Sequence, residues 1–165
     1  MEFQSFHLPT VGKRTLKTML SVGIIILVYT LLDRNPCFAC IGAVFGMGNK
    51  WVTGLQAGGN RSIGTLIGGV VALLFYNWYH GATPGLYQGV VLLLALFVLL
   101  MVSQALGVNT AIQPGSVVLF VVILTVSPDR FVKYTIDRII DTAVGVALSL
   151  GINKLMPAPL DKTEK

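Results

Sequence analysis

Leu86 to Val102 runs without a single charged side chain, and Leu16 to Leu32 carries only Lys17. A helix needs roughly 20 apolar residues to cross the hydrocarbon core of a bilayer, and runs of this length approach that figure. In lipid every backbone N–H and C=O must find its partner within the protein, which points such runs to helix. Composition agrees: 54% of the 165 residues are apolar and only 12% charged, against about 25% charged in soluble domains. Similar segments recur along the whole chain, so a signal peptide in front of a soluble body is excluded. Met1 to Val11 has no apolar stretch of the kind a cleavable leader needs.

The net charge of +5 invites a nucleic-acid reading. Lys and Arg, however, sit at the ends of apolar segments and form no basic stripe interleaved with exposed aromatics. They read as topology signals instead. Cys37-Phe38-Ala39-Cys40 holds both cysteines, and His7 and His80 are the only histidines. That is too little for a disulfide framework or a metal site, so no cofactor is expected. Thiol redox chemistry needs a tuned thiolate and a partner fold, neither of which the sequence shows. No Ser-His-Asp set or phosphate-binding loop appears, which disfavours an enzyme.

The chain reads as an all-α membrane protein with six transmembrane helices. Residues 1–14 are expected to form an interfacial segment, 15–157 a six-helix membrane domain, and 158–165 a charged tail. The spans are placed at about Leu16–Leu32, Cys37–Gly48, Ser62–Trp78, Leu86–Val102, Ser116–Val126 and Ile136–Leu155. Asp33-Arg34-Asn35-Pro36 closes the first, and Tyr76, Trp78 and Tyr79 supply an aromatic belt to the third. Lys50 to Gly59 reads as a polar, Gly-rich connection, and Pro114-Gly115 as the break before helix five.

Arg61-Ser-Ile-Gly-Thr65-Leu-Ile-Gly68 and Arg138-Ile-Ile-Asp-Thr142-Ala-Val-Gly145 share the pattern R-x-I-x-T-x-[IV]-G. Each opens the third helix of a group of three, which implies a three-plus-three duplication, and an odd number of helices per half makes the halves inverted. Helices two and five are both short or broken, at Gly42, Gly46 and Gly48 in one and Pro114 and Gly115 in the other. Paired interrupted helices point to a transport site, because a helix ending inside the bilayer leaves polar backbone groups that only a hydrated cavity tolerates. Counting Lys and Arg places both termini inside, with Lys13, Arg14, Lys17, Lys50, Arg61, Lys154, Lys162 and Lys165 on the cytoplasmic face. Arg34, Arg130, Lys133 and Arg138 then fall outside and violate the rule unless a functional vestibule holds them.

Gly12-x-Arg14-Thr15-x-Lys17-Thr18 before helix one, the Gly-rich helix two, Asn60-Arg61-Ser-Ile-Gly64-Thr65-Leu-Ile-Gly68 and the closing Arg138-x-x-Asp141-Thr142-x-x-Gly145 resemble the aromatic acid exporter family of the fusaric acid resistance superfamily. The resemblance spans about residues 10 to 157. It implies a six-helix module in a bacterial inner membrane, related to exporters of aromatic carboxylates and to plant malate-type anion channels, and commonly a homodimer. Many relatives are expected to carry a cytoplasmic C-terminal domain beyond the part seen here.

The candidate substrate-binding residues are Arg61, Arg138, Asp141, Lys50, Thr65, Thr142, Asn60 and Gln113. Arg61 and Arg138 are expected near helix N-termini, where a cation opposes the helix dipole and needs another partner. A substrate anion, lipid phosphate, or Asp137 and Asp141 would each serve. Asp141 within helix six is costly unless paired, and Arg138 three residues earlier is the expected partner, with proton coupling the competing role. Lys50, Arg14 and Lys17 read mainly as topology anchors, and Gln56, Asn60, Gln104, Asn109 and Gln113 as hydrogen-bonding groups for a carboxylate or ordinary loop polarity. Small residues at Gly64, Gly68 and Ala72, and at Gly145 and Ser149, allow close helix packing. The function expected is export of small organic, aromatic carboxylates across the lipid bilayer. An anion channel and a non-transporting anchoring or assembly module are the alternatives.

Overall fold

The computed structural model describes residues 12–48 and 50–156, and every regular element among them is helical. The interfacial segment expected over residues 1–14 lies outside the described residues as far as 11, and the tail 158–165 lies wholly outside them. Helix α1 (Lys13–Leu31) stops where Asp33 takes a left-handed turn at φ 51°. Asn35 Oδ1 then accepts the Cys37 N–H at 2.9 Å and Pro36 opens α2 (Cys37–Gly46). Helices α3 (Trp51–Gly81) and α4 (Leu86–Ala105) follow. A single 3-10 turn at Asn109–Ala111 leads into α5 (Ile112–Thr125), and α6 (Phe131–Leu155) closes the bundle.

Helices α1, α3 and α4 have the length and hydropathy of membrane spans. Helix α6 is long enough at 25 residues but carries Lys133, Asp137, Arg138, Asp141 and Lys154. At 1.5 Å per residue α2 and α5 measure roughly 15 and 21 Å, well short of a hydrocarbon core of roughly 30 Å.

Several sequence expectations are corrected. Lys50 to Gly59 is not a connection, because Lys50 caps α3 and residues 51–61 form its first three turns. Its backbone N–H donates to Thr53 Oγ1 at 3.2 Å. The glycines there are tolerated because Gly54 and Gly58 lie buried against α2 and α6. Pro114 and Gly115 do not precede α5 but sit in its first turn, where proline's missing N–H has no intrahelical role to fill. Gly42 and Gly46 do not break α2 either. They are its contact points, so helices two and five are short rather than interrupted. Helix six begins five residues earlier than expected, at Phe131.

The two long helices cross at the centre. Gly69 of α3 lies against Thr135 and Ile139 of α6, and Tyr76 stacks on Phe131 with centroids 3.9 Å apart. Each short helix packs on the long helix of the other half: α2 on α6, α5 on α3. The motif glycines make both contacts. A methyl at Gly68 would run into the Gly115 carbonyl, and one at Gly145 into the Ala39 carbonyl. Equivalent positions of the repeated pattern thus make equivalent contacts. A larger apolar cluster joins α3, α4 and α5 through Val71, Tyr76, Leu99 and Leu119, and a smaller one joins α1 to α2 through Ile25, Tyr29 and Ala43. Leu27 and Leu31 of α1 and Leu93 and Phe97 of α4 point outward, as lipid-facing side chains do.

Polar ties mark the two ends of the bundle. Lys17 Nζ donates to Asn153 Oδ1 at 3.3 Å, and Asn153 Nδ2 donates to the Gly48 carbonyl at 3.2 Å. Both ends of the described chain therefore lie on one face, here termed the terminal face. On the opposite, distal face Arg34 joins the end of α1 to α6 through Asp137.

Candidate functional site

Arg61 is the eleventh residue of α3 and Arg138 the eighth of α6, so neither sits at the N-terminus of its own helix. The expected opposition to their own helix dipoles is corrected. What stands near them is the start of a short helix from the other half. Arg138 lies over Phe38 at the beginning of α2, and Arg61 shares a cavity with Thr110 and Gln113 at the beginning of α5. Those N-termini carry partial positive charge, which adds to each guanidinium.

The Arg61 cavity measures about 540 Å³ and is lined by Phe45, Thr53, Gln56, Ala57, Asn60, Arg61, Thr110, Gln113, Pro114 and Val117. Asn60 and Gln113, both picked from sequence, meet here although they lie on different halves. The Arg61 guanidinium rests 4.4 Å from the Phe45 ring centroid. Its Nε is buried without an acceptor, and no carboxylate among the described residues pairs with it. A ring face compensates part of the lost hydration of a cation but supplies no hydrogen bond. The cavity combines a cation, amides and hydroxyls on one side with an apolar wall of Phe45, Pro114 and Val117 on the other. Those are complementary surfaces for a carboxylate joined to a flat apolar body.

Arg138 is 6% exposed and held between aromatics, 4.2 Å from the Phe38 centroid, with its Nη1 donating to Tyr134 Oη at 3.1 Å. It does not pair with Asp141. That expectation is corrected, because Asp141 Oδ1 is taken by Arg34 Nη2 at 3.1 Å and by the Tyr29 hydroxyl at 2.9 Å. Arg34 also reaches Asp137 at 2.9 Å. Asp141 is thus a buried carboxylate tied to α1, outside the Arg61 cavity. Asp137 and Asp141, four residues apart, face Arg34 together while Arg138 turns to Phe38 and Tyr134, and the sequence spacing that brings Arg138 within reach of Asp141 does not decide which partner wins.

Thr65 and Thr142 do not line the cavity. Thr65 is buried and its hydroxyl donates to the Arg61 carbonyl at 2.9 Å, while Thr142 is buried beneath Gly42. Lys50 caps α3 and its side chain is exposed. Gln56 lines the cavity, whereas Gln104 and Asn109 do not. Lys17, read mainly as a topology anchor, is 5% exposed, and its ammonium has Asn153 as its hydrogen-bond partner.

Sequence reasoning missed Phe38 and Phe45. They lie seven residues apart on α2, two turns along one face, while Ala39, Gly42 and Gly46 turn to α6. That spacing was the available signal. Arg34 and Tyr29 had none, because their partners are more than a hundred residues away.

A family model described as aromatic acid exporter family member 1 matches residues 9–156. The chain belongs to the aromatic acid exporter family. No curated protein and no solved structure matches it. As an aromatic acid exporter family chain with apolar helices of membrane-spanning length, it is a multi-pass membrane protein of a transport family, not of an enzyme family. The architecture described above is then the form this exporter-family domain takes, with the Arg61 cavity built between its two halves.

Proposed function

We propose that this chain exports small aromatic carboxylates and that the Arg61 cavity is where they bind. The observation that supports this is a guanidinium with no carboxylate partner among the described residues, stacked on Phe45 and flanked by Asn60, Gln56 and Gln113 in a cavity with an apolar wall. The carboxylate satisfies Arg61 and the amides, and the aromatic body lies along Phe45, Pro114 and Val117. Arg138, near the start of α2 in the distal half, is a second cationic point along the path. Asp141 serves structure, as the anchor of Arg34 and Tyr29. Thr65 and Thr142 act through helix packing, and Lys50 as a surface cation that raises local anion concentration. Both termini are cytoplasmic in a bacterial inner membrane, and the exporter works as a homodimer.

The test is benzoate efflux from proteoliposomes. A charge-assisted hydrogen bond is worth about 1.5–3 kcal/mol, so Arg61→Ala should lower saturable flux by roughly tenfold or more, with Arg61→Lys intermediate. Unchanged flux in Arg61→Ala, with correct folding, would remove the reading. A potential-driven current without saturation would make the same site that of a channel, and no flux from a folded wild-type protein would favour an anchoring role.

A further inference from the structure

A second cavity of about 470 Å³ opens beside the first, lined by Arg14, Val44, Phe45, Met47, Gly48, Thr53 and Ala57. Phe45, Thr53 and Ala57 line both cavities. Of these three only Phe45 is large. Phe45 is 49% exposed although its neighbour Gly46 is buried against Val146 and Ser149 of α6. The Gly46 contact fixes the backbone of α2 on one side and leaves the ring standing between the two spaces on the other. The first cavity holds Arg61 and lies along α3 at the start of α5. The second holds Arg14, in the first turn of α1 on the terminal face, and Gly48, whose carbonyl is tied to Asn153 and through it to the buried Lys17. Each space thus pairs a guanidinium with an apolar wall, and one aromatic ring is the wall they share.

We propose that the Arg14 cavity is a second binding station for the same aromatic carboxylates, placed before the Arg61 site on the terminal side, and that Phe45 is the partition whose size decides which acids pass between them. This rests on the reading of Arg61 as the binding site. An acid moving from Arg14 to Arg61 passes along the Phe45 ring. Because Arg61 stacks on that ring, the arriving carboxylate also competes for the guanidinium that helps hold it in place. Trimming residue 45 joins the two spaces and admits broader ring systems, whereas a ring that merely orients Arg61 affects every acid alike. The ratio of fluxes for two acids of different width separates these roles.

The experiment compares efflux of benzoate and of 2-naphthoate from proteoliposomes containing wild type, Phe45→Ala, Phe45→Leu, Arg14→Ala or Arg61→Ala, each checked for fold by size-exclusion profile and melting temperature. Apolar pocket changes shift discrimination by roughly 10–200-fold, so Phe45→Ala should raise the naphthoate-to-benzoate ratio by about tenfold or more, with Phe45→Leu between it and wild type. Arg14→Ala should raise the half-saturating concentration for substrate offered on the terminal face while leaving that for the distal face unchanged. A ratio that stays constant across folded Phe45 variants, even with total flux reduced, would overturn the partition. Equal effects of Arg14→Ala on both faces, or none, would overturn the second station. Arg61→Ala tells the two readings apart: if it abolishes flux while the Phe45 and Arg14 variants behave as wild type, only the present inference falls, and if it leaves flux intact, the site itself falls.

Discussion

Asp141 and Arg34 show how a buried charge in this bundle is made tolerable. Asp141 is 5% exposed and accepts from both Arg34 and Tyr29, whereas the Arg34 and Asp137 side chains are about two-fifths exposed. Losing Arg34 strands the buried carboxylate, a defect worth 3–5 kcal/mol for a fully buried pair and about 1–3 kcal/mol here after allowing for the exposed partner. Arg34→Ala should therefore lower the melting temperature in detergent, and adding Asp141→Asn should restore most of the loss, because an amide keeps the Tyr29 hydrogen bond without a charge to strand. If Asp141→Asn alone proves as damaging as Arg34→Ala, the carboxylate's charge is needed for more than this tie. Lys17 presents the opposite case, an ammonium buried against a neutral amide. The sequence displayed all these charges but not their partners. Arg138 is three residues from Asp141 and lost it to Arg34, which arrives from the connection between α1 and α2. Asn60, Gln113 and Arg61 were legible as candidates because polar groups beside apolar spans are conspicuous, whereas Phe45 hid among ordinary apolar residues of α2.

Helices α2 and α5 behave as matching elements. Each is too short to cross the hydrocarbon core and lies on the long helix of the other half, with a motif glycine at the crossing. Gly68→Ala and Gly145→Ala should therefore be alike, each destabilising by about 1–3 kcal/mol as overpacked contacts do, because the added methyl meets backbone that cannot step aside. Gly151→Ala on the open side of α6 meets nothing and should stabilise by about 0.5–1 kcal/mol through helix propensity. Melting curves of the three variants check the pattern, and a harmless Gly145→Ala would break the proposed equivalence. The repeat was visible in R-x-I-x-T-x-[IV]-G because both copies must meet the same steric demand. The start of α3 was not visible, since Gly54, Gly58 and Gly59 look like a loop in sequence. Buried contacts with α2 and α6 outweigh their poor helix propensity at Gly54 and Gly58.

Charge is distributed unevenly along the whole molecule. All four aspartates among the described residues, Asp33, Asp129, Asp137 and Asp141, lie in its distal half together with Arg34, Arg130, Lys133 and Arg138. Lys13, Arg14, Lys17, Lys50, Arg61 and Lys154 lie in the terminal half without an acidic residue among the described ones. Half of the distal cluster that breaks the positive-inside pattern is accounted for: Arg34 is bound to two aspartates and Arg138 is buried under aromatic rings, while Arg130 and Lys133 are exposed. Exposed cations that orient a chain in the membrane are more numerous on the terminal face, with Lys13, Arg14, Lys50 and Lys154 against Arg130 and Lys133 on the distal one, so the terminal face should be cytoplasmic. The same asymmetry suits export, because it gathers anions on the side of Arg14 and Arg61 and offers them no net attraction at the far end. In a background with Cys37 and Cys40 replaced by Ala, Thr83→Cys in the α3–α4 connection should react with a membrane-impermeant maleimide in intact cells. Asn109→Cys, in the 3-10 turn before α5, should react only after permeabilisation. The reverse pattern would put Arg14 and Arg61 on the outer side, and the gradient of charge would then favour uptake over export.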